Sequence, residues 1–462
     1  MAAIVTDDLK HRISDLIRFD ADSESTHYYI GIGKVDQYDS SDTVATPLRT
    51  NFEEAEARAN LISIKKVPST SISLVIPRFN WTSGTVYDAW SDASVGIPSN
   101  TFYVLTEDNE VYICIQQGKS ATGTPNQSIV KPSFSEASVT ETDIFQTADG
   151  YRWKLAYTLS AARANTFLTS GFIPIETIKG DRTQGTVVYT GLTTFQQQQF
   201  NIEDNADSGA IVGVRIIDGG TGYATSTVSI KFRGDGREAS ATGTVSGGSI
   251  VKVEMDDSAS AVGNGGGRDY TYASASFTGD ATLKPILSSK FGLGSDMVRD
   301  LKASSIMFNA KLTGTEGGTI NVVNDFRQIT LLRNLTQNSN GTKITDTGYK
   351  VGRFIDMTGT VAGIAADDTI TDDTSGVTAT VVEVDTNGSG NTRFRFIQNQ
   401  NNIIGQFTGG GGLNGGTGTI AGTGDSDGYV DINSGEMLYI ENRSKVQRSG
   451  AQSEDIKIIL TV

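Results

Sequence analysis

The residues that could do chemistry fall into a few groups, and each group lacks a part its chemistry needs. Gly118-Lys-Ser120 matches the end of a phosphate-binding loop, but the glycine required five positions earlier is Ile113. Without that glycine the backbone amides cannot wrap a phosphate. Gly31-Ile-Gly33 follows a strand pattern, yet Asp36 stands where a dinucleotide fingerprint needs its third glycine. A strand passing close to neighbouring backbone explains this pair of glycines better. Asp425-Ser-Asp427-Gly-Tyr-Val-Asp431 with Glu436 has a faint calcium-loop spacing, but its glycine comes two places early and Tyr429 takes a ligand position. We read it as an Asp-rich turn. His11 and His27 are the only histidines, too few for a histidine metal site. A Ser-His-Asp triad would have to use one of them. We place His11 on a surface-type helix and His27 at a strand edge. Cys114 is the single cysteine, in Val111-Tyr-Ile-Cys-Ile115, and reads as an inert buried thiol. A carboxylate pair of the glycosidase kind is the one enzymatic route that 53 acidic residues leave open. Three tryptophans, Trp81, Trp90 and Trp153, offer few sugar platforms for it.

The elements that would position these groups are mostly strands. An amphipathic helix opens the chain, with Thr6 as N-cap, Asp7 and Asp8 in its first turn, and Leu9, Ile13, Leu16 and Ile17 at helical spacing. Thr26–Gly33 alternates as a strand. Thr50-Asn-Phe-Glu53 has the form of a capping box and opens a helix with Phe52, Ala55, Ala59 and Ile62 on one side. Ser71–Ile76 is a strand ending at Pro77. Phe102–Leu105 and Glu110–Ile115 form a hairpin across Thr-Glu-Asp-Asn, and Asp149-Gly150 precedes the strand Tyr151–Tyr157. Ser160 caps a short helix ending near Leu168. Ser295–Leu301 reads as a capped helix, with strands at Ala303–Leu312 and Phe326–Leu332.

Two Gly-rich tracts interrupt this pattern. The first contains Ala210–Ile217, a Gly-Gly-Thr-Gly-Tyr223 turn and Thr227–Phe232, and an echo offset by 39 residues begins at Gly248. The second runs from about Thr342 to Gly428 and includes Phe394-Arg-Phe-Ile397. Each tract reads as strands joined by turns that need positive φ. The fold class we expect is mainly β with a few short helices (α+β), a multidomain β-sandwich-like scaffold carrying two inserted Gly-rich β modules. The divisions are 1–180 (N-terminal α+β scaffold), 181–284 (first module), 285–341 (scaffold strands), 342–429 (second module) and 430–462 (closing strands).

Composition agrees with strands and turns: 52 glycines, 8 prolines and 37% hydrophobic residues in 462. A formal charge of −15 argues against a nucleic-acid partner over most of the surface. No apolar run nears the roughly 18 residues of a membrane span, so no membrane insertion is expected. The opening residues lack the basic and apolar segments of a signal peptide. No cofactor and no metal are expected.

The chain's last residues hold its strongest signal. Ser434-Gly-Glu-Met-Leu-Tyr-Ile-Glu-Asn-Arg443 leads through a polar stretch into Asp455-Ile-Lys-Ile-Ile-Leu-Thr-Val462, read as a hairpin closing a sheet. Met437 and Tyr439 share one face, Leu438 and Ile440 the other. This run resembles the C-terminus of the baseplate wedge subunit family of T4-like contractile-tailed phages, the gene-product-eight type. Other islands resemble the same family in the same order: Ala3-Ile-Val-Thr6; Val75-Ile-Pro-Arg-Phe-Asn-Trp81, with Asn80 in an acidic place; Val111-Tyr-Ile-Cys; Asp149-Gly-Tyr-x-Trp153; and Lys302-Ala-x-x-Ile306 with Phe326-Arg-Gln-Ile329. The resemblance covers residues 1–180, 285–335 and 430–462. The Gly-rich tracts lie outside it, so the chain looks like an enlarged member, and its Gly-Thr-Gly-Tyr repeats resemble cyanophage tail proteins.

Membership implies a non-enzymatic structural subunit of the virion tail baseplate, assembled in the host cytoplasm. It implies a homodimer that packs against other baseplate wedge proteins and takes part in the rearrangement that triggers sheath contraction. The residues singled out are structural and interface candidates. Pro77 with Arg78 ends a strand and Gly150 supplies a permissive turn. Trp81, Trp153 and Tyr439 bury large apolar areas, while Glu436, Glu441 and Arg443 are strand-end salt-bridge or interface groups. The alternative is a receptor- or glycan-binding tail protein, with the Gly-rich modules as the binding part; a polysaccharide-cleaving tail enzyme comes third.

Overall fold

Short β-branched and aromatic runs between glycine turns build antiparallel sheets throughout the computed structural model. It describes residues 7–23, 25–48, 50–92, 101–178, 191–256, 265–289, 291–313, 320, 324–416 and 418–461. The fold is mainly β with short helices, as expected. The chain divides into two compact units. One comprises Met1–Leu16, Ser73–Ile306 and Leu460–Val462; the other comprises Ile17–Ile72 and Met307–Ile459.

The first unit is built on a four-stranded sheet ordered Tyr103–Leu105, Glu110–Gln116, Arg152–Thr158, Ile144–Gln146. The hairpin turn at Thr106–Asn109 forms as expected, with Asn109 at φ +61°. Cys114 is fully buried on the second strand. Ser160 caps the helix Ala161–Phe167 by accepting from the Arg163 N–H. A helix at Thr194–Asp204, not anticipated, packs against Arg152–Thr158. A local signal for it exists: Thr193 and Gln196 form a reciprocal capping box. The run of four glutamines that follows has no apolar period, which is why the pattern hides it. The first Gly-rich tract forms a sheet ordered Ser249–Met255, Arg237–Ser246, Thr227–Gly234, Ala273–Ser276, with Gly266–Arg268 on the second strand. Ile211–Asp218 pairs separately with Thr282–Leu287.

The second unit has a five-stranded sheet ordered Gly348–Lys350, Leu61–Val67, Tyr28–Gly33, Phe326–Arg333, Glu436–Val446. Tyr28–Gly33 is central and buried along its whole length, so the expected inside-outside alternation is absent. Burial on both faces explains its glycines. A Cβ on Gly31 would stand 2.5 Å from Thr330 Oγ1 and 2.6 Å from Leu61 Cδ2, and one on Gly33 would strike the Asn60 carbonyl. The reading of a close approach to neighbouring backbone is therefore right for Gly33, whereas Gly31 is crowded by side chains. The second Gly-rich tract forms a sheet ordered Arg353–Asp356, Thr392–Ile397, Thr378–Thr386, Thr369–Thr371.

Several expectations need correction. The helix Asp7–Asp22 buries His11 and Ser14 and exposes Leu9 and Leu16, so His11 is not a surface residue. Its Nδ1 lies 2.8 Å from the Ala303 carbonyl oxygen. The helix Asn51–Ala59 starts at Thr50 as predicted but exposes Phe52. Ile62 belongs to the strand that follows. The helix near Ser295 runs only from Met297 to Asp300 and is capped by Asp296. The closing strands do not form one hairpin: Glu436–Val446 pairs with Phe326–Arg333, whereas Ser453–Thr461 pairs with Ser305–Thr313 in another sheet. Ala3–Thr6, including the proposed cap, lies outside the described residues.

Candidate functional site

The loops that imitate ligand sites are filled from within. Gly118 packs against the Asp149 carbonyl and the Tyr151 ring, leaving no amide cradle there. Asp425 forms an ion pair with Arg353 and accepts from the Phe407 N–H at 2.9 Å. The Asp-rich turn thus has a guanidinium where a calcium loop would hold a cation. Among the described residues no group of three potential metal ligands comes together. Burial pushes the Cys114 thiol well above its usual range, so it has little thiolate character.

Two strongly perturbed groups are ones the sequence did not reveal. Lys154 lies mid-strand in Arg152–Thr158, and Asp300 ends the short helix Met297–Asp300; both are buried. Lys154 Nζ donates to the Thr142 carbonyl at 2.7 Å, and the Gly294 N–H donates to Asp300 at 2.6 Å. Burial lowers the lysine pKa and pushes Asp300 up to about 7. Shifts of this kind mark catalytic acids when a substrate can reach them. Here Lys154 borders a cavity of about 40 Å3, shared with Arg152, Asp207 and Leu293. That is space for about one water and no substrate. The Trp90 indole N–H donates to the Asp300 carbonyl at 2.8 Å, and Lys302 sits over its ring. These contacts pin a loop to a helix end and have a structural explanation.

The candidates from the N-terminal islands occupy turn and core positions of the first unit. Pro77 ends the strand Ile72–Pro77, and its carbonyl accepts from Tyr103 Oη at 2.8 Å. Arg78 donates to the Thr169 carbonyl and to Asn80 Oδ1, both at 2.8 Å. Gly150 has φ +88° in the turn closed by its N–H to the Thr147 carbonyl. Trp153 is fully buried, stacked on Tyr151 at 5.6 Å and edge-on to Tyr87 at 5.8 Å. Trp81 is only half-buried, with its indole N–H on Ser128 Oγ at 3.1 Å. Tyr87 and Trp90 are the buried aromatics of that segment.

The C-terminal candidates lie along Glu436–Val446, the edge strand of the five-stranded sheet. Glu436 lies 2.8 Å from Arg333, whose guanidinium also holds Asp20 in a two-point contact at 2.6 and 2.7 Å. That contact, joined by Tyr28 Oη at 2.7 Å, lowers the Asp20 pKa. Tyr439 is half-buried, not deeply inserted, and its hydroxyl donates to Glu441 at 3.2 Å. Arg443 is exposed; its backbone N–H donates to Tyr38 Oη, which in turn donates to the Arg327 carbonyl at 2.5 Å. Tyr38 thereby plugs the bulge between the paired strands. Arg58, nearly buried in the helix Asn51–Ala59, donates to the carbonyls of Ile432, Ser434 and Gly435 and fixes the entry into this strand. Met437 packs inward on the core while Leu438 remains 43% exposed. The outcome is a long edge strand, held rigidly at its start and bulge, with no strand on its outer side among the described residues.

In comparisons with known proteins, no family model matches the chain and no curated protein matches it.

Proposed function

We propose that this chain is a structural subunit of the baseplate wedge of a contractile phage tail. It acts there as a homodimer that binds other wedge proteins and relays the rearrangement that triggers sheath contraction. The observation that carries this reading is the collinear set of sequence islands, from Val75–Trp81 through Asp149–Trp153 to Ser434–Arg443. Their residues serve packing and turn geometry, as suits a part whose task is to hold its shape between neighbours. The anchored edge strand Glu436–Val446 supports it further, since its polar groups and Leu438 are available to a partner. No catalytic role, cofactor or nucleic acid enters this reading.

Obligate interfaces of such assemblies bury above about 2,000 Å2. Sedimentation of the purified chain at about 10 μM should therefore give a species of twice the 49.1 kDa subunit, as expected of an obligate dimer. A monomer at that concentration would count against the proposal.

A further inference from the structure

The first unit contains a second, larger opening, a cleft of about 290 Å3. One wall is the strand Ile211–Asp218, which presents Gly213, Arg215 and Ile216. Facing it is the strand that echoes it 39 residues later, Ser249–Met255, which presents Lys252 and Val253. The repeat is unequal at the positions that matter: Gly213 corresponds to Lys252, and Arg215 to Glu254. A small residue on one strand leaves the room, and a cation on the other fills its edge.

Two of the cations are held in place. Arg215 Nη2 donates to Ser91 Oγ at 2.8 Å and lies 3.5 Å from Asp92. Lys252 Nζ lies 2.6 Å from Glu254. Those carboxylates offset most of the charge they orient. Lys119, also on the cleft, has no carboxylate partner among the described residues. Gln117 uses its amide N–H on the Tyr87 carbonyl at 2.9 Å, which leaves its carbonyl oxygen as an acceptor. Gln116 and the exposed Asp88 complete the rim.

This balance selects among ligands. A bare multivalent anion gains little where two of three cations are already neutralised. An apolar molecule would strand Lys119 and the amides without partners. A molecule with a single negative charge and several hydroxyls satisfies both sets of groups. The volume, near the lower end of ligand pockets at ~300–1,000 Å3, holds about one sugar ring. We propose that the cleft binds a monosaccharide unit bearing one carboxylate, with the carboxylate on Lys119 and hydroxyls on Arg215, Gln116, the Gln117 oxygen and Asp88. The inference is independent of the wedge reading, and either can fail without the other.

Gly213 provides a direct test. A Cβ there would meet only Ile286 Cδ1 at 3.9 Å, so Gly213→Leu should fold normally and occupy the cleft. Calorimetric titration of the full chain with sodium glucuronate should show millimolar binding, with glucose and inorganic phosphate each at least about tenfold weaker. Gly213→Leu should abolish the binding with no change in melting temperature. Lys119→Gln, on a half-exposed loop, should weaken it about tenfold and decides the matter if Gly213→Leu proves unstable. Absence of heat with glucuronate at about 20 mM, equal affinity for phosphate, or unchanged binding in both variants would overturn the proposal.

Discussion

The two Gly-rich regions are alike in composition and unlike in what fills them. Around Arg353–Ile397 the sheet closes on a dense core: Ile355, Met357, Ile370, Val381, Phe394, Phe396, Phe407 and Leu413 are all buried. Around Ile211–Leu287 the buried apolar set is Ile211, Val228, Ile230, Ala241, Ile250, Met255, Tyr270 and Ile286, while Val214, Phe232, Val253, Phe277, Leu283 and Leu287 are only partly covered. Buried Phe394, Phe396 and Phe407 stand in this core against Tyr270 as the buried aromatic ring among the described residues of the first region, and each ring buries more area than an aliphatic side chain or an alanine. Glycine content alone therefore says little about solidity. The thinner region borders the open cleft, and the denser one has its acidic turn neutralised by Arg353.

Their carboxylates also pull in opposite directions with pH. In the unit with the thinner region, Asp300 titrates near 7 because burial disfavours its charge. An unfolded aspartate titrates near 4, so the folded unit binds this proton more tightly. The stability it contributes is present at acid pH and is lost as pH rises through about 7. Lys154, lowered by burial, adds the reverse slope: its contribution is lost as pH falls through its folded value. In the other unit, the two-point contact from Arg393 lowers the pKa of Asp356. Its contribution is present at neutral pH and is lost as pH falls through the acid range.

The sharpest way to break the contrast is to empty the dense core. Phe394→Ala should cost about 3–5 kcal/mol, against ~2–5 kcal/mol for Ile230→Ala in the thinner region, whose partly covered neighbours place it toward the lower end. Denaturant unfolding of the two variants compares them, and equal losses would mean the two cores bear equally. Next in size is Asp300→Asn, which keeps an acceptor for the Gly294 N–H and removes the charge. It should stabilise the chain at pH 8 by a few kcal/mol on linkage grounds and have little effect near pH 4. Calorimetry at the two pH values tests this, and a variant destabilised at both would show that the carboxylate is needed as a charge. The smallest effect is expected at Gly388, where an added Cβ meets nothing within 4 Å. Gly388→Ala should be neutral or stabilising by ~0.4–1 kcal/mol. Gly279→Ala in the thinner region should instead be destabilising, since φ is +136° and the Cβ would strike the Tyr223 ring. A thermal melt that ranks the two glycines the other way would undo the assignment.

What could be read without coordinates is what short-range chemistry decides. Thr50 and Ser160 cap helices because a hydroxyl reaches an N–H three residues on, and Gly150 turns because φ is positive there. Cys114 is buried because it sits in an unbroken apolar strand. The mainly β class followed from the same local preferences. Tertiary structure alone decided which face each element buries. The helix Asp7–Asp22 turns His11 inward against the Ala303 carbonyl and leaves Leu9 and Leu16 outside, since the neighbour available to a helix is set by residues hundreds of positions away. For the same reason Ser453–Thr461 leaves Glu436–Val446 and joins another sheet. The pairing of Arg333 with Asp20 and the shared burial of Lys154 and Asp300 likewise depend on pairs far apart in the chain. Residue type fixes what such a group needs, while only the fold decides what it meets.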